Sequence, residues 1–231
     1  MKIGIIGAGH IGGTLTRRLR ELGHDVSVAN SRGPETLTQL ARETGARPVP
    51  VNEAARGAEL VIVTIPVKNI PDLPEGVLNG AAEGAAIVDT GNYYPRQRDG
   101  RIDDIEAGMT ESRWTERHLG RRVIKAFNNI FADHLLRRGQ PRGTPGRIAL
   151  PVAGDDVAAK AKVMKVVDEL GFDPVDAGGL DESWRQQPGT PVYATDLDAN
   201  GVRRALAEAR RDRKPEFRST ESRPEDVAAP P

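Results

Sequence analysis

Three glycines near the start of the chain have the spacing of a phosphate-binding loop. In the stretch KIGIIGAGHIGGTLTRRL, Gly7, Gly9 and Gly12 form a G-x-G-x-x-G pattern between an apolar segment and an amphipathic one. Such glycines permit a tight turn, a close approach of pyrophosphate to the backbone, and close packing of the following helix. His10 and Ile11 belong to the first turn of that helix, where free amides favour phosphate. We predict a dinucleotide site here, with His10 either a donor to phosphate or a bystander.

A second candidate site follows about twenty residues later, where VANSRGPET lacks the acidic residue that binds ribose hydroxyls in NAD-specific proteins. A ribose 2′-phosphate adds about two negative charges, which a serine hydroxyl and a guanidinium can bind. The helix expected to start within residues 33–36 would add backbone amides. A solvated loop arginine is the alternative. We favour NADPH over NADH, with the cofactor bound by Asn30, Ser31, Arg32 and Thr36.

Three further stretches end apolar strands, which places them where ligands bind in open α/β sheets. They are TIPVKN (64–69), DTGNYYP (89–95) and KAFNNIFA (125–132). Taken singly, each equally fits a buried strand followed by a polar turn. Tyr93 and Tyr94 could stack on a planar acceptor, but packing is favoured. Lys125 is expected to extend to solvent, and Trp184 to cover the edge of the sheet.

Alternating β and α patterns indicate the architecture that positions these residues. Apolar runs without alternation are typical of parallel strands covered on both faces. They predict strands at 3–6, 25–30, 60–65, 85–89, 123–127, 148–153 and 174–176. Helical spacing predicts helices after the first strand, near 37–41, from 157 and over 198–211. The fold class is therefore a Rossmann-type doubly wound, mostly parallel α/β sheet with helices on both faces and a short helical C-terminal extension.

Domain organisation and composition set further limits. We expect one domain over 1–213, with a core to about 180, a helical extension over 181–213 and a disordered tail over 214–231. Basic and acidic residues balance at 33 each, which gives no electrostatic case for nucleic acid or an anionic membrane. The chain has no cysteine and four scattered histidines, so no metal site is expected. The longest apolar run, 60–67, is too short to cross a membrane, and a strand starting at residue 3 leaves no room for a leader, so a cytoplasmic location is expected.

Five of these motifs together resemble a known family. In this order, GIIGAGHIGG, NSR, VTIP, KAFNNI and PVAGDD are similar to the F420-dependent NADP reductase family, whose members shuttle hydride between NADP and a deazaflavin. KAFNNI is also similar to the NADPH-binding reductase domain of the STEAP metalloreductases. The resemblance covers most of residues 1 to about 180. DTGNYYPRQRDGR and ESWRQQPGTPVYATDLD depart from it, and we expect these two stretches to shape the acceptor side.

The resemblance implies roles for individual residues. Ser31 and Arg32 would bind the 2′-phosphate, and Ala132 would lie near the carboxamide. Asn128 and Asn129 would lie beside the face from which hydride is transferred. The pyrophosphate and nicotinamide ribose would be lined by Thr64, Ile65 and Pro66.

These observations predict an NADPH-dependent oxidoreductase that transfers hydride between NADP(H) and coenzyme F420, with a flavin reductase as the nearest alternative. No side chain is predicted to act as an acid or base, because the two cofactors would supply the chemistry. A different class is a non-catalytic NADPH-binding or sensor module. Hydride transfer predicts an open cleft between Asn92 and Asn128, whereas a filled cleft would favour the sensor. A homodimer could form through the apolar side of helix 198–211, which could equally pack on its own domain.

Overall fold

Six parallel strands form the central sheet of the computed structural model, which describes residues 1–219. Their spatial order is β3-β2-β1-β4-β5-β6, the order of a dinucleotide-binding fold. The predicted Rossmann-type architecture is therefore confirmed. The strands are β1 (Lys2–Ile6), β2 (Asp25–Ala29), β3 (Arg47–Pro48), β4 (Leu60–Val63), β5 (Ala86–Asp89) and β6 (Ile124–Lys125).

Successive side chains of the buried strands enter two different cores, one on each face of the sheet. Ile3 and Ile5 pack on the face that also buries Leu15 and Leu19. Ile6 packs on the opposite face. This division follows from the two-residue period of a strand. It explains why β4 is apolar throughout and β5 is apolar up to Asp89, since every residue of both strands is buried.

The helices cover both faces of this sheet. They are α1 (His10–Glu21), α2 (Thr38–Thr44), α3 (Asp103–Glu106), α4 (Glu111–Leu119), α5 (Ala132–Arg137), α6 (Val157–Glu169) and α7 (Ala199–Glu208). The sequence patterns predict α1, α2, α6 and α7 but miss α3, α4 and α5, and they also miss β3. The missed elements are short. In α4 most residues are charged or polar, and its start is set by a local bond in which the Thr110 side chain accepts from the Arg113 amide.

A second, two-stranded parallel sheet consists of β7 (Ala149–Val152) and β8 (Asp173–Asp176). It meets the large sheet at one antiparallel bridge, where Lys125 and Ala153 exchange backbone hydrogen bonds of 2.8 and 3.0 Å. The apolar side of α7 packs on this small sheet, in a cluster formed by Ala149, Val175, Val192, Val202, Ala205 and Leu206. The α7 face is thus used within the chain, and a homodimer stays a prediction.

The predicted disordered tail begins too early. Residues Pro215–Phe217 form a 3-10 turn, and the Phe217 ring lies against Gly189 and 6.4 Å from the Tyr94 ring. The Ser219 amide donates to Glu106. These contacts hold residues 214–219 on the domain, because Phe217, the one aromatic residue of this otherwise polar stretch, packs against Gly189. The rest of the predicted tail, 220–231, lies outside the described residues. In the part that is described, no helix has the length and apolar character needed to cross a membrane.

Candidate functional site

The glycine loop has the backbone geometry that its sequence predicts. Gly7 has a φ of 108°, and a Cβ built there would lie 2.2 Å from the Thr64 carbonyl oxygen. A Cβ on Gly12 would lie 1.9 Å from the Gly7 carbonyl oxygen, so α1 packs directly on the loop. A Cβ on Gly9 would meet no heavy atom within 4 Å. Gly7 and Gly12 are therefore required by the fold itself, whereas Gly9 leaves open space at the start of α1.

The turn after β2 is built by two of its own side chains. Asn30 accepts a hydrogen bond of 2.9 Å from the Arg32 amide and donates one of 2.9 Å to the Thr36 hydroxyl. That hydroxyl donates to the Gly33 carbonyl oxygen at 2.8 Å. Ser31 and Arg32 are exposed, and within residues 1–219 neither side chain has a hydrogen-bond or ion-pair partner. The turn is thus rigid, and it leaves one hydroxyl and one guanidinium available.

Backbone hydrogen bonds keep the carboxyl ends of the strands side by side. The Gly7 amide donates to Ala29, the Thr64 amide to Ile6 and the Thr90 amide to Val63, at 2.8 to 3.1 Å. The structure therefore brings the glycine loop, the turn after β2, TIPVKN and DTGNYYP to one edge of the sheet. Three predicted site residues, Thr64, Ile65 and Pro66, are partly exposed along this edge.

The ends of β5 and β6 are joined by amide side chains. Asn92 donates to the Asn128 carbonyl oxygen at 2.8 Å and accepts from the Asn128 side chain at 3.0 Å. The Gln186 side chain donates to the Asn128 side-chain oxygen at 2.9 Å. The Gln186 backbone carbonyl oxygen accepts from the Asn128 side-chain nitrogen at 2.7 Å. The space directly between Asn92 and Asn128 is consequently closed, and the open cleft expected there for hydride transfer is not seen. A ligand would lie on the outer side of this three-residue amide bridge.

The turn that follows β6 is shaped by an unusual backbone conformation. Phe127 is fully buried and has a φ of 62°, which non-glycine residues rarely adopt. The change of direction ends β6 at Lys125, two residues before the predicted end. It turns Asn128 toward Asn92. Asn129 is also buried, and its side-chain amide has no hydrogen-bond partner within residues 1–219.

Ala132 opens α5 and is partly exposed, directly after Phe131, whose side chain is 54% exposed. The Phe131 ring meets the ring of His134 in α5 edge-on, with 5.3 Å between the ring centres.

Comparison with known proteins places this site in a family. Residues 2–93 match the profile of the family described as NADP oxidoreductase, coenzyme F420-dependent. A solved structure of the hypothetical protein SMa0349 from Sinorhizobium meliloti is 30% identical, with a TM-score of 0.72, over 85% of this chain and 95% of that one. The chain belongs to the F420-dependent NADP oxidoreductase family.

Two further relatives are similar to this chain. A structure named as a candidate F420-dependent NADP-reductase from an Arthrobacter species is 26% identical, with a TM-score of 0.62, over 78% of this chain and 85% of that one. Protein YjhV of Escherichia coli is 48% identical over 82 residues, which are 36% of this chain and 58% of YjhV. The chain thus matches little more than half the length of that curated relative.

The family profile ends inside DTGNYYP, at Tyr93. Of the two stretches that depart from the resemblance, 89–101 crosses this point and 182–198 lies beyond it. The structure brings the two stretches together. The Tyr94 and Tyr193 hydroxyls are hydrogen-bonded, and Gln186 reaches Asn128 from the second stretch. The Ala194 amide donates to the Asn129 carbonyl oxygen at 3.0 Å. The part of the site that the family profile leaves undefined is therefore built by both stretches.

The sequence predicts that Lys125 extends to solvent from the end of its strand, but the structure shows otherwise. Its side chain is fully buried, 3.2 Å from the Asp89 carboxylate, and it also donates to the Gly91 carbonyl oxygen. Asp89 in turn accepts from the Gly91 amide at 2.8 Å and the Ser112 hydroxyl at 2.7 Å. The expectation was wrong because the Asp89 carboxylate compensates the burial of the Lys125 charge. Sequence periodicity does not predict that these two residues lie opposite each other. The pair fixes the turn that leads into Asn92.

Neither tyrosine of DTGNYYP is placed to stack on an acceptor. Tyr93 is buried, with its hydroxyl 3.0 Å from Glu106 and the Arg213 guanidinium 5.2 Å from its ring centre. Burial raises the pKa of Tyr93 above its usual range. The Tyr94 ring faces the guanidinium of Arg98 at 5.2 Å. Packing, the interpretation favoured from the sequence, is thus what both side chains do.

Proposed function

We propose that this protein is an NADPH-dependent oxidoreductase that transfers hydride between NADP(H) and coenzyme F420, with a flavin as the nearest alternative acceptor. The observation that carries the proposal is the bridge of amide side chains that joins the segments after β5 and β6. Asn92, Asn128 and Gln186 are amides, which bind and orient polar ligands but do not exchange protons near neutral pH. Such a lining suits a reaction between two cofactors, in which the nicotinamide supplies the hydride and no protein acid is required.

The residues present fit the cofactor. The first-turn amides of α1 have no partner four residues earlier within the helix, and Gly9 leaves the approach to them open. We propose that the pyrophosphate binds to Gly7, Gly9, His10, Ile11 and Gly12. Thr64, Ile65 and Pro66 then face the ribose, and Asn92, Asn128 and Ala132 lie at the nicotinamide end. The orphan side-chain amide of Asn129 is a further polar group at that end.

NADPH is preferred over NADH in this proposal because of the turn after β2. Asn30 and Thr36 fix its shape, while the side chains of Ser31 and Arg32 have no hydrogen-bond or ion-pair partner in the described part of the chain. Because the Arg32 guanidinium has no ion pair to break, its whole interaction with a 2′-phosphate contributes to binding. The Glu35 carboxylate folds over Gly33, where an added Cβ would lie 2.3 Å from it. It is the one charge in the turn that opposes a phosphate.

Replacing Arg32 tests this preference. A charge-assisted hydrogen bond contributes about 1.5–3 kcal/mol, so Arg32→Ala is expected to weaken NADPH binding by about 10- to 150-fold. NADH binding should change little. Dissociation constants for both nucleotides from fluorescence titration measure the difference. Arg42→Ala is the matched control, since Arg42 is exposed on the neighbouring α2. Equal losses for NADPH and NADH would contradict the assignment.

The acceptor is tested by following NADPH oxidation with coenzyme F420, FMN, FAD and riboflavin in separate reactions. The proposal expects turnover with coenzyme F420, or with a flavin if the alternative is right. Asn128→Ala should lower the rate with the preferred acceptor, because it removes the centre of the amide bridge. Arg204→Gln, on the exposed side of α7, is the control.

The closed contact between Asn92 and Asn128 favours a second candidate, a non-catalytic NADPH-binding or sensor module. That module would bind NADPH tightly and show no turnover with any of the four acceptors. This result would refute the oxidoreductase proposal and leave the assignment of the cofactor residues intact.

A further inference from the structure

A second cavity lies outside the predicted cofactor site. It has a volume of about 870 Å³ and is enclosed by the segment that follows α7, by residues 187–191 and by the turn between α3 and α4. None of the residues proposed to bind NADP(H) lines it. Its size is within the range of about 300–1,000 Å³ that small-molecule sites occupy. The cavity is therefore large enough for a ligand and separate from the site described above.

The cavity wall is predominantly basic. Five basic and three acidic side chains line it, namely Arg210, Arg211, Arg213, Lys214 and Arg218 against Glu106, Glu208 and Asp212. Several of these charges are already used: Asp212 faces Arg210 at 3.8 Å, and Glu106 accepts from Tyr93. Within residues 1–219 the side chains of Arg211 and Lys214 form no hydrogen bond or ion pair. By the same criterion the Glu208 carboxylate is also unpaired within residues 1–219, so two cations and one anion remain at the cavity, a net positive charge.

A buried donor points to the same kind of ligand. Gln187 lines the cavity and is only 7% exposed. Its side-chain oxygen accepts from Arg213 at 3.2 Å, while its side-chain nitrogen has no partner among the described residues. A buried N–H group without an acceptor is unfavourable, and native structures usually supply one. A ligand that carries hydrogen-bond acceptors would satisfy this N–H group, and the surrounding charge favours an anionic ligand.

We propose that this cavity binds a small molecule that carries carboxylate or phosphate groups. Arg211 and Lys214 supply the charge, and the Gln187 side-chain nitrogen supplies a fixed donor. The Trp184 ring forms part of the wall, with the Arg211 guanidinium 6.0 Å from its centre. Given the volume, the ligand is larger than inorganic phosphate.

Calorimetric titration of the full chain with citrate and with pyrophosphate, in separate experiments, tests the proposal. We expect saturable binding of at least one probe, and the probe that binds identifies carboxylate or phosphate as the recognised group. Arg211→Gln and Gln187→Leu should each raise the dissociation constant about tenfold, equivalent to about 1.4 kcal/mol. Arg211 is exposed, so its variant is expected to fold even if the Gln187 variant does not.

Two control variants locate the binding. Arg204→Gln changes an exposed arginine of α7 outside the cavity, and Arg32→Ala changes the predicted 2′-phosphate contact. Both should bind the probe as the unmodified chain does. Loss of binding in Arg32→Ala alone would assign the probe to the cofactor site and overturn the proposal. So would the absence of saturable binding, or binding that appears only after removal of residues 220–231, which contain Glu221, Glu225 and Asp226.

Discussion

Removal of the Lys125 ammonium should destabilise the fold and the turn that presents Asn92. Lys125 is 0% exposed and the Asp89 side chain 2%, with 3.2 Å between the charged atoms. At an effective dielectric constant of 20, this attraction amounts to about 5 kcal/mol, before the desolvation of both ions is subtracted. Lys125→Met leaves a buried carboxylate with two neutral donors. The loss of one partner from a buried pair costs about 3–5 kcal/mol.

Urea unfolding followed by tryptophan fluorescence measures this loss. In a chain of this size, about 3–5 kcal/mol also lowers Tm by about 6–20 °C. Lys165→Met is the matched control, because Lys165 is 70% exposed and lies 3.7 Å from Glu169. A surface pair of this kind contributes at most about 1 kcal/mol. Lys125→Met with Asp89→Asn should recover part of the stability, since no uncompensated charge is then buried. A loss below about 1 kcal/mol for Lys125→Met alone would refute the reasoning.

Two further predictions follow from buried or crowded positions. Gly12→Ala should lower both stability and NADPH affinity. Gly9→Ala should unfold like the unmodified chain and lose NADPH affinity only, as thermal unfolding and titration will show. Equal losses of stability in the two variants would contradict this. Burial raises the pKa of Glu111, so the folded state retains its proton above the unfolded value of 4.5. Stability relative to Glu111→Gln is therefore greatest below that pH and declines as pH rises through the folded pKa; a difference independent of pH in urea unfolding would refute it.

The sequence was sufficient for five of the six strands of the central sheet because those five are largely buried, whereas the missed β3 has two residues and neither is buried. Apolar runs such as 60–65 lack the alternation of a half-buried strand, and the glycine loop is recognisable because its glycines, the preceding strand and the following helix are contiguous in the sequence. The boundaries and roles near β6 were not predictable in the same way. Phe127 leaves the strand through a positive φ that its residue type disfavours. Lys125 is buried through a contact with Asp89, 36 positions away in the chain.

The same limit applies to the amide bridge. Asn92, Asn128 and Gln186 come from three separate segments, and their pairing depends on how the C-terminal residues return to the large sheet. Periodicity describes one segment at a time and does not predict contacts between distant segments. The cavity beside Trp184 was missed for this reason, since its lining comes from three separate segments, within residues 105–110, 184–191 and 208–218.

The bridge at Lys125, the one backbone bridge between the two sheets within residues 1–219, also couples two parts of the molecule. The residue at that bridge, Lys125, has its backbone bonded to Ala153 of the small sheet and its side chain bonded to the Asp89–Gly91 turn. Separation of the small sheet would break the backbone bonds and free the strand that carries this ammonium. The amides of Lys125, Ala153 and Gly91 should therefore exchange hydrogen with solvent as one cooperative unit. The turn that leads into Asn92 and the small sheet would then share one opening free energy.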